Sequence, residues 1–244
     1  MNCSCLAAEG PIWVYLGTMP PLFGARLATA TLLVLGCGGR PTAVTSPEAP
    51  PLPTASDAAA ESLLVDVRSA DSTIQVDARY AGSDNFTGAP LPGYDAPRAL
   101  LRREAALALG RVQARLRSGG LGLRVFDGYR PVRATLAMVD WTRRTGRREL
   151  VDSGYIARRS RHNLGVAVDL TMVDLASGTE VPMGTAFDTF TPAAHTANAE
   201  GRFRRYRQIL VRVMESEGFR NYEKEWWHFS YEVEGAVAFD KVIE

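Results

Sequence analysis

The stretch GVAVDLTMVD, residues 165–174, alternates strongly and carries a carboxylate in its middle. As a strand it places Val166, Val168, Leu170 and Met172 on one face, with Ala167, Asp169 and Thr171 on the other. A helix has no use for that period. The chain must therefore build a sheet around a half-apolar central strand. It must also give Asp169 something to face, because an ionised group inside a sheet is costly without a cavity, a partner charge or a metal.

The surrounding patterns supply the rest of an α+β fold, with a mostly antiparallel central sheet flanked by helices. LLVDVR from Leu63 and TIQVDARY read as strands. PRALLRREAALALGRVQARLRSGG reads as an amphipathic helix, with Pro97 in its first turn and Gly119 and Gly120 at its end. LGLRVFDGY is a strand that delivers Asp127, Tyr129 and Arg130 to its far end, and Pro131 opens a second helix through VRATLAMVDWTRR. RFRRYRQILVRVMESEGF is a third helix closed by Gly218, and WWHFSYEVE is a last strand.

All three cysteines, Cys3, Cys5 and Cys37, fall in the first forty residues. The body of the chain thus has no disulfide framework, no thiolate metal site and no cysteine nucleophile. Any transition metal there must use histidines and carboxylates. A formal net charge of +1 argues against a nucleic-acid partner. The arginine runs RRTGRRE and RRSR are balanced by acidic segments and read as solvated faces.

The front end reads as a targeting segment. ARLATATLLVLGCGG has one arginine, a short apolar stretch and small residues before Cys37, the layout of a secretory signal. VLGC is similar to a bacterial lipobox, in which cleavage precedes a cysteine that is then lipidated. The expected organisation is a signal peptide over 1–36, with Met19 the better start, then a flexible Pro/Ala/Ser/Thr tether over 37–62 and a catalytic domain over 63–244. The expected location is an exported lipoprotein on the periplasmic side, held by lipid on Cys37 alone. Gly38, rather than aspartate, follows the cysteine and points to the outer membrane. An unused signal would leave the protein in the cytoplasm.

The chain has three histidines, and two of them frame a candidate metal centre. In SRHNLGVAVDLT, His162 sits in a turn before the strand that carries Asp169. In EKEWWHFSYE, His228 follows two tryptophans and stands three residues after Glu225. His162, Asp169 and His228 would leave a zinc ion one open position for water. Glu225 is placed to act as general base, and Arg130 to face the oxyanion, with Asp127 holding its guanidinium. Singly, each residue has a plainer reading: a loop histidine, an arginine-paired aspartate, a turn arginine, a core imidazole. Order and spacing together favour the site. His195 fits the spacing of neither cluster and reads as structural.

These residues also carry a resemblance. SRHNLGVAVDLT resembles the S-x-H-x-x-G-x-A-x-D-L-T signature of VanX-type D-alanyl-D-alanine dipeptidases, and EWWHF resembles their closing E-x-W-H motif. YAGSDNFTGAPLPGY, FDGYRP and MGTAFDTFTPAAH are similar to further blocks in the same order, so that the likeness runs from about Tyr80 to Tyr231. It implies the hedgehog-like zinc D,D-peptidase fold and one zinc per chain, cleaving free D-Ala-D-Ala into two D-alanines. By that likeness His162, Asp169 and His228 are the zinc ligands, Glu225 the base and Arg130 the transition-state stabiliser. Ser160 and Asp188 then surround the substrate's ammonium end, with Asp127 supporting less directly. Family members that confer glycopeptide resistance act in the cytoplasm, so an exported lipoprotein is expected to serve turnover or salvage of wall-derived dipeptides. Two alternatives remain at this stage. One is a VanY-type D,D-carboxypeptidase acting on wall stem peptides, although those typically have a single tryptophan before the last histidine. The other is a non-catalytic wall-binding lipoprotein, which would be expected to have lost site residues.

Overall fold

The computed structural model describes residues 52–244. The chain divides into two units, Met1–Glu48 and Ala49–Glu244, and every described residue belongs to the second. The expected signal peptide, Cys37 and tether residues 37–51 lie outside the described residues.

Folded structure begins before Leu63. Helix α1 (Asp57–Leu63) occupies the end of the expected tether, and the side chain of Ser56 caps it by accepting from the Ala59 N–H at 3.3 Å. The run DAAAESL has the alanines and first-turn acid that a short helix wants, and Ala60 is buried. Composition alone made this segment look like linker; a cap and a packing partner made it helix.

Strands β1 (Leu64–Asp66) and β3 (Leu100–Arg102) form a two-stranded ribbon, with Val65 opposite Leu101. This corrects the expected helix start at Pro97: helix α2 runs only Arg103–Arg117. Leu100–Arg102 has adequate helical propensity, but pairing with β1 and full burial of Leu101 outweigh it. TIQVDARY likewise yields only strand β2 (Gln75–Val76) before turning into a 3-10 turn at Arg79–Ala81.

The main sheet has the order β2-β4-β5-β7-β6. It uses β4 (Leu121–Asp127), β5 (Ala167–Asp174), β6 (Phe219–Asn221) and β7 (His228–Tyr231). Every pairing is antiparallel except β2 with β4. Helix α2 and helix α5 (Gly201–Glu215) pack with the Val168, Leu170 and Met172 face of β5 in one core, through residues such as Leu109, Val112, Leu210 and Met214. Helix α3 (Val132–Arg144), with Pro131 at its N-cap, and the short α4 (Glu149–Asp152) belong to a second cluster around Tyr80, Tyr94, Tyr129 and Met138. Every residue of β5 except Asp174 is buried, so its Asp169 face is enclosed rather than solvated.

Register positions the chemistry. A shift between Val125 and Asp127 on β4 brings Asp127 opposite Asp169, and Asp169 lies opposite His228. Three neighbouring strands thus present one row across the sheet: Asp127, Asp169, His228.

Candidate active site

His162 joins that row from the 3-10 turn Arg161–Leu164, which immediately precedes β5. Ser160 caps this turn by accepting from the His162 N–H at 3.2 Å, and Asn163 completes a capping box. Gly165 ends the turn at φ 69°, and a Cβ there would meet Leu64 Cδ2 at 2.5 Å. Only glycine makes the left-handed turn in that space. At the other end, Glu225 enters the site through a tight turn: its N–H donates to Tyr222 O at 3.0 Å, and the His228 N–H donates to Glu225 O at 3.2 Å.

His162 Nε2 stands 3.1 Å from His228 Nδ1 and 3.3 Å from Asp169 Oδ2, and His228 Nδ1 is 2.9 Å from Asp169 Oδ1. A tetrahedral zinc ion with bonds near 2.0–2.1 Å has ligand-to-ligand edges of roughly 3.3–3.4 Å. The three contacts, which use both Asp169 oxygens, lie at or a little below that edge length. The protons give a second test. His162 Nδ1 lies 2.6 Å from the Gly128 carbonyl, so that nitrogen carries the hydrogen and Nε2 presents a lone pair. That lone pair faces a carboxylate oxygen, and a single proton on His228 Nδ1 cannot serve both acceptors. A cation among the three resolves the conflict. The donor set of two neutral nitrogens and one carboxylate fits zinc.

The electrostatics agree. Burial alone would raise Asp169, yet the His162 and His228 imidazoles hold it far below the ordinary carboxylate range. Burial lowers His228, which favours the neutral imidazole that a metal would need. Burial, then the charges of Asp169 and Asp188, pushes Glu225 well above the usual carboxylate value. Glu225 Oε2 is 3.8 Å from His228 Nδ1, beside the candidate ligands rather than among them.

Arg130 donates through Nε and Nη2 to Asp127 Oδ2, at 3.0 and 2.8 Å, and its Nη2 lies 3.6 Å from Asp169 Oδ2. The other Asp127 oxygen accepts from Tyr94 OH at 2.6 Å. Asp127 is therefore fully engaged and stands behind the cavity wall. Of the residues expected around the substrate it alone does not line the cavity, and it reaches the cavity only through its bonds to Arg130. Arg130 also stacks over the Tyr80 ring at 5.1 Å.

These side chains share one cavity of about 280 Å³, lined among others by Arg130, Ser160, His162, Asp188, Glu225 and His228. Asp188 accepts from Tyr80 OH at 3.0 and 3.2 Å. It has φ 59°, the one positive value outside glycine among the described residues. Burial, then Asp169, raises its carboxyl from an ordinary 3.8 to about 8. Trp227 is buried and lines the cavity, which keeps the local dielectric low.

Sequence reasoning missed the supporting groups. Tyr80 and Tyr94 reach the site from 3-10 and loop segments far away in sequence, and the Gly128 carbonyl has no side chain to advertise it. His195 lies away from the ligand triangle, as its spacing implied, but its Nε2 is 2.9 Å from the hydroxyl of the cavity residue Tyr155.

A sequence profile of the peptidase family described as D-ala-D-ala dipeptidase matches residues 60–242. The chain belongs to that family. Among D-Ala-D-Ala dipeptidase family members, the D-alanyl-D-alanine dipeptidase of Streptomyces coelicolor is 38% identical over 181 residues, 67% of this chain and 88% of the relative. That of Enterococcus faecalis is 37% identical over 174 residues, 64% of this chain and 85% of the relative. That of Escherichia coli is 31% identical over 168 residues, covering 68% and 83%.

Proposed function

We propose that this D-Ala-D-Ala dipeptidase family member hydrolyses the free dipeptide D-Ala-D-Ala to two D-alanines in a zinc-dependent reaction. One observation carries the reading: His162, Asp169 and His228 converge within 4.8 Å, and Glu225, Arg130 and Asp188 line the same cavity. Zinc held by the three ligands, when bound, supplies Lewis acidity that makes water nucleophilic at neutral pH. Glu225, with its raised proton affinity, takes the proton from the attacking water and returns it to the leaving amine. Arg130, aimed by Asp127, stabilises negative charge on the carbonyl oxygen. Asp188, held by Tyr80, pairs with the substrate ammonium, and Ser160 borders the substrate beside His162.

An intact base, arginine and ligand set gives the binding-protein alternative no support. The carboxypeptidase alternative differs in wanting an N-acylated substrate, which would leave Asp188 facing a neutral amide. The run VLGC supports lipidation at Cys37 and a periplasmic place of work on wall-derived dipeptides. Zinc-loaded full chain, given free D-Ala-D-Ala and separately an N-acyl-D-Ala-D-Ala peptide, should release D-alanine from the free dipeptide alone. Preference for the acylated peptide would assign a carboxypeptidase instead.

A further inference from the structure

A zwitterionic dipeptide has two charged ends, and the groups described so far read only one. Its carboxylate needs a cation or strong donors as the cavity closes around it, because an unpaired charge is costly out of water. Arg130 is committed to Asp127, and the two imidazoles belong to the group that could hold the metal. Two further arginines border the cavity: Arg159 and Arg161, on either side of Ser160. Both come from the RRSR run that sequence pattern assigned to a solvated face.

Their bonding differs in a telling way. Arg161 is anchored through Nη2, which donates to Tyr231 O at 2.9 Å and pairs with Glu232 Oε1 at 3.1 Å. Its Nε–H is buried without a partner. Among the described residues only Thr171 Oγ1 shares that condition, and Thr171 does not line this cavity. Buried donors are almost always satisfied, so an anchored arginine with one N–H to spare is prepared for an acceptor. Arg159 is exposed and makes no hydrogen bond or ion pair among the described residues, so its whole fork is free to turn inward. Arg161 adjoins the ligand His162 in sequence, and the Ser160 cap fixes the turn between them.

We propose that Arg159 and Arg161 form the subsite for the C-terminal carboxylate of the dipeptide, with Arg161 as the fixed donor and Arg159 as the mobile one. The inference rests on the dipeptidase reading and deepens it. Together with Asp188 it makes the cavity a reader of both ends, which selects a free dipeptide over an internal peptide segment.

The test compares D-Ala-D-Ala with D-alanyl-D-alaninamide, which has the same scissile bond and no terminal charge. Zinc-loaded full chain is assayed as wild type, Arg159→Ala, Arg161→Gln and the double variant. Glutamine keeps a donor for Tyr231 O, and melting temperature and zinc content report on folding. Loss of charge-assisted bonds should lower the acid-over-amide ratio of kcat/KM by about 10- to 100-fold in the double variant, mostly through KM for the acid. A ratio that stays within about twofold of wild type overturns the subsite, even if both rates fall. If Arg161→Gln unfolds, the Arg159→Ala ratio decides alone. If wild type cleaves neither substrate, the dipeptidase reading fails. The subsite is then judged by calorimetry: D-Ala-D-Ala must bind the zinc-loaded wild type more tightly than it binds the double variant.

Discussion

Asp188 is held against its own stability, and removing its charge should strengthen the zinc-free protein while disabling it. Its carboxyl is raised from 3.8 to about 8, first by burial and then by Asp169. The folded chain therefore keeps a proton that the unfolded chain releases near pH 4. Between those two values wild-type stability falls as pH rises, because folding must either hold the proton or bury the charge. Asp188→Asn has no such penalty, and asparagine tolerates the left-handed backbone at φ 59° as well as aspartate does. From near pH 5 to above pH 8, about three pKa units at ~1.4 kcal/mol each give roughly 4 kcal/mol for a sealed carboxyl. Asp188 keeps partial contact with solvent, so about 2 kcal/mol is the expected growth in the variant's advantage, or ~4–8 °C in melting temperature. Thermal unfolding of chelator-treated wild type and variant at the two pH values measures it. An advantage that is flat or shrinks as pH rises would refute the burial argument. Loss of substrate affinity in the zinc-loaded variant should accompany the gain.

Glu225→Gln should lower kcat by about 10²- to 10⁴-fold while zinc stoichiometry by metal analysis stays at the wild-type value, since Glu225 lies beside the ligands. Tyr94→Phe removes the donor to Asp127 Oδ1; a buried carboxylate left short of a bond should cost about 1–3 kcal/mol in denaturant unfolding and lower kcat more than it raises KM. Gly128→Ala would place a Cβ 2.5 Å from the Leu100 carbonyl oxygen. The loop must then move the carbonyl that holds His162, so zinc affinity by competition with a chelator should fall about 10- to 100-fold.

How far the sequence could be read depended on how local each cause was. Asp169 stood out because its strand alternates and a carboxylate breaks the expectation for a buried face. His162, Glu225 and His228 followed from short turns whose geometry is set within a few residues, and the structure brings all four together. The helix start at Arg103 could not be read locally, because β1, some thirty-five residues earlier, claims Leu100–Arg102 as a partner. Tyr80 and Tyr94 bound the block YAGSDNFTGAPLPGY that the resemblance picks out, but nothing near them in sequence announces their partners, Asp188 and Asp127. The RRSR run was half legible. Arg158 and Arg159 are exposed, as charge balance implied, and only the fold shows that Arg159 and Arg161 also border the cavity.

The central claim is that this ligand triangle holds the zinc ion on which hydrolysis depends. Full-length protein stripped with chelator should release no D-alanine from D-Ala-D-Ala. On titration with zinc, activity should return in proportion and level off at one equivalent per chain. In a His228→Ala variant both the tight zinc binding and the activity should be missing over the same range. Hydrolysis that persists in chelator, or that survives loss of His228 with zinc still bound, would contradict the account.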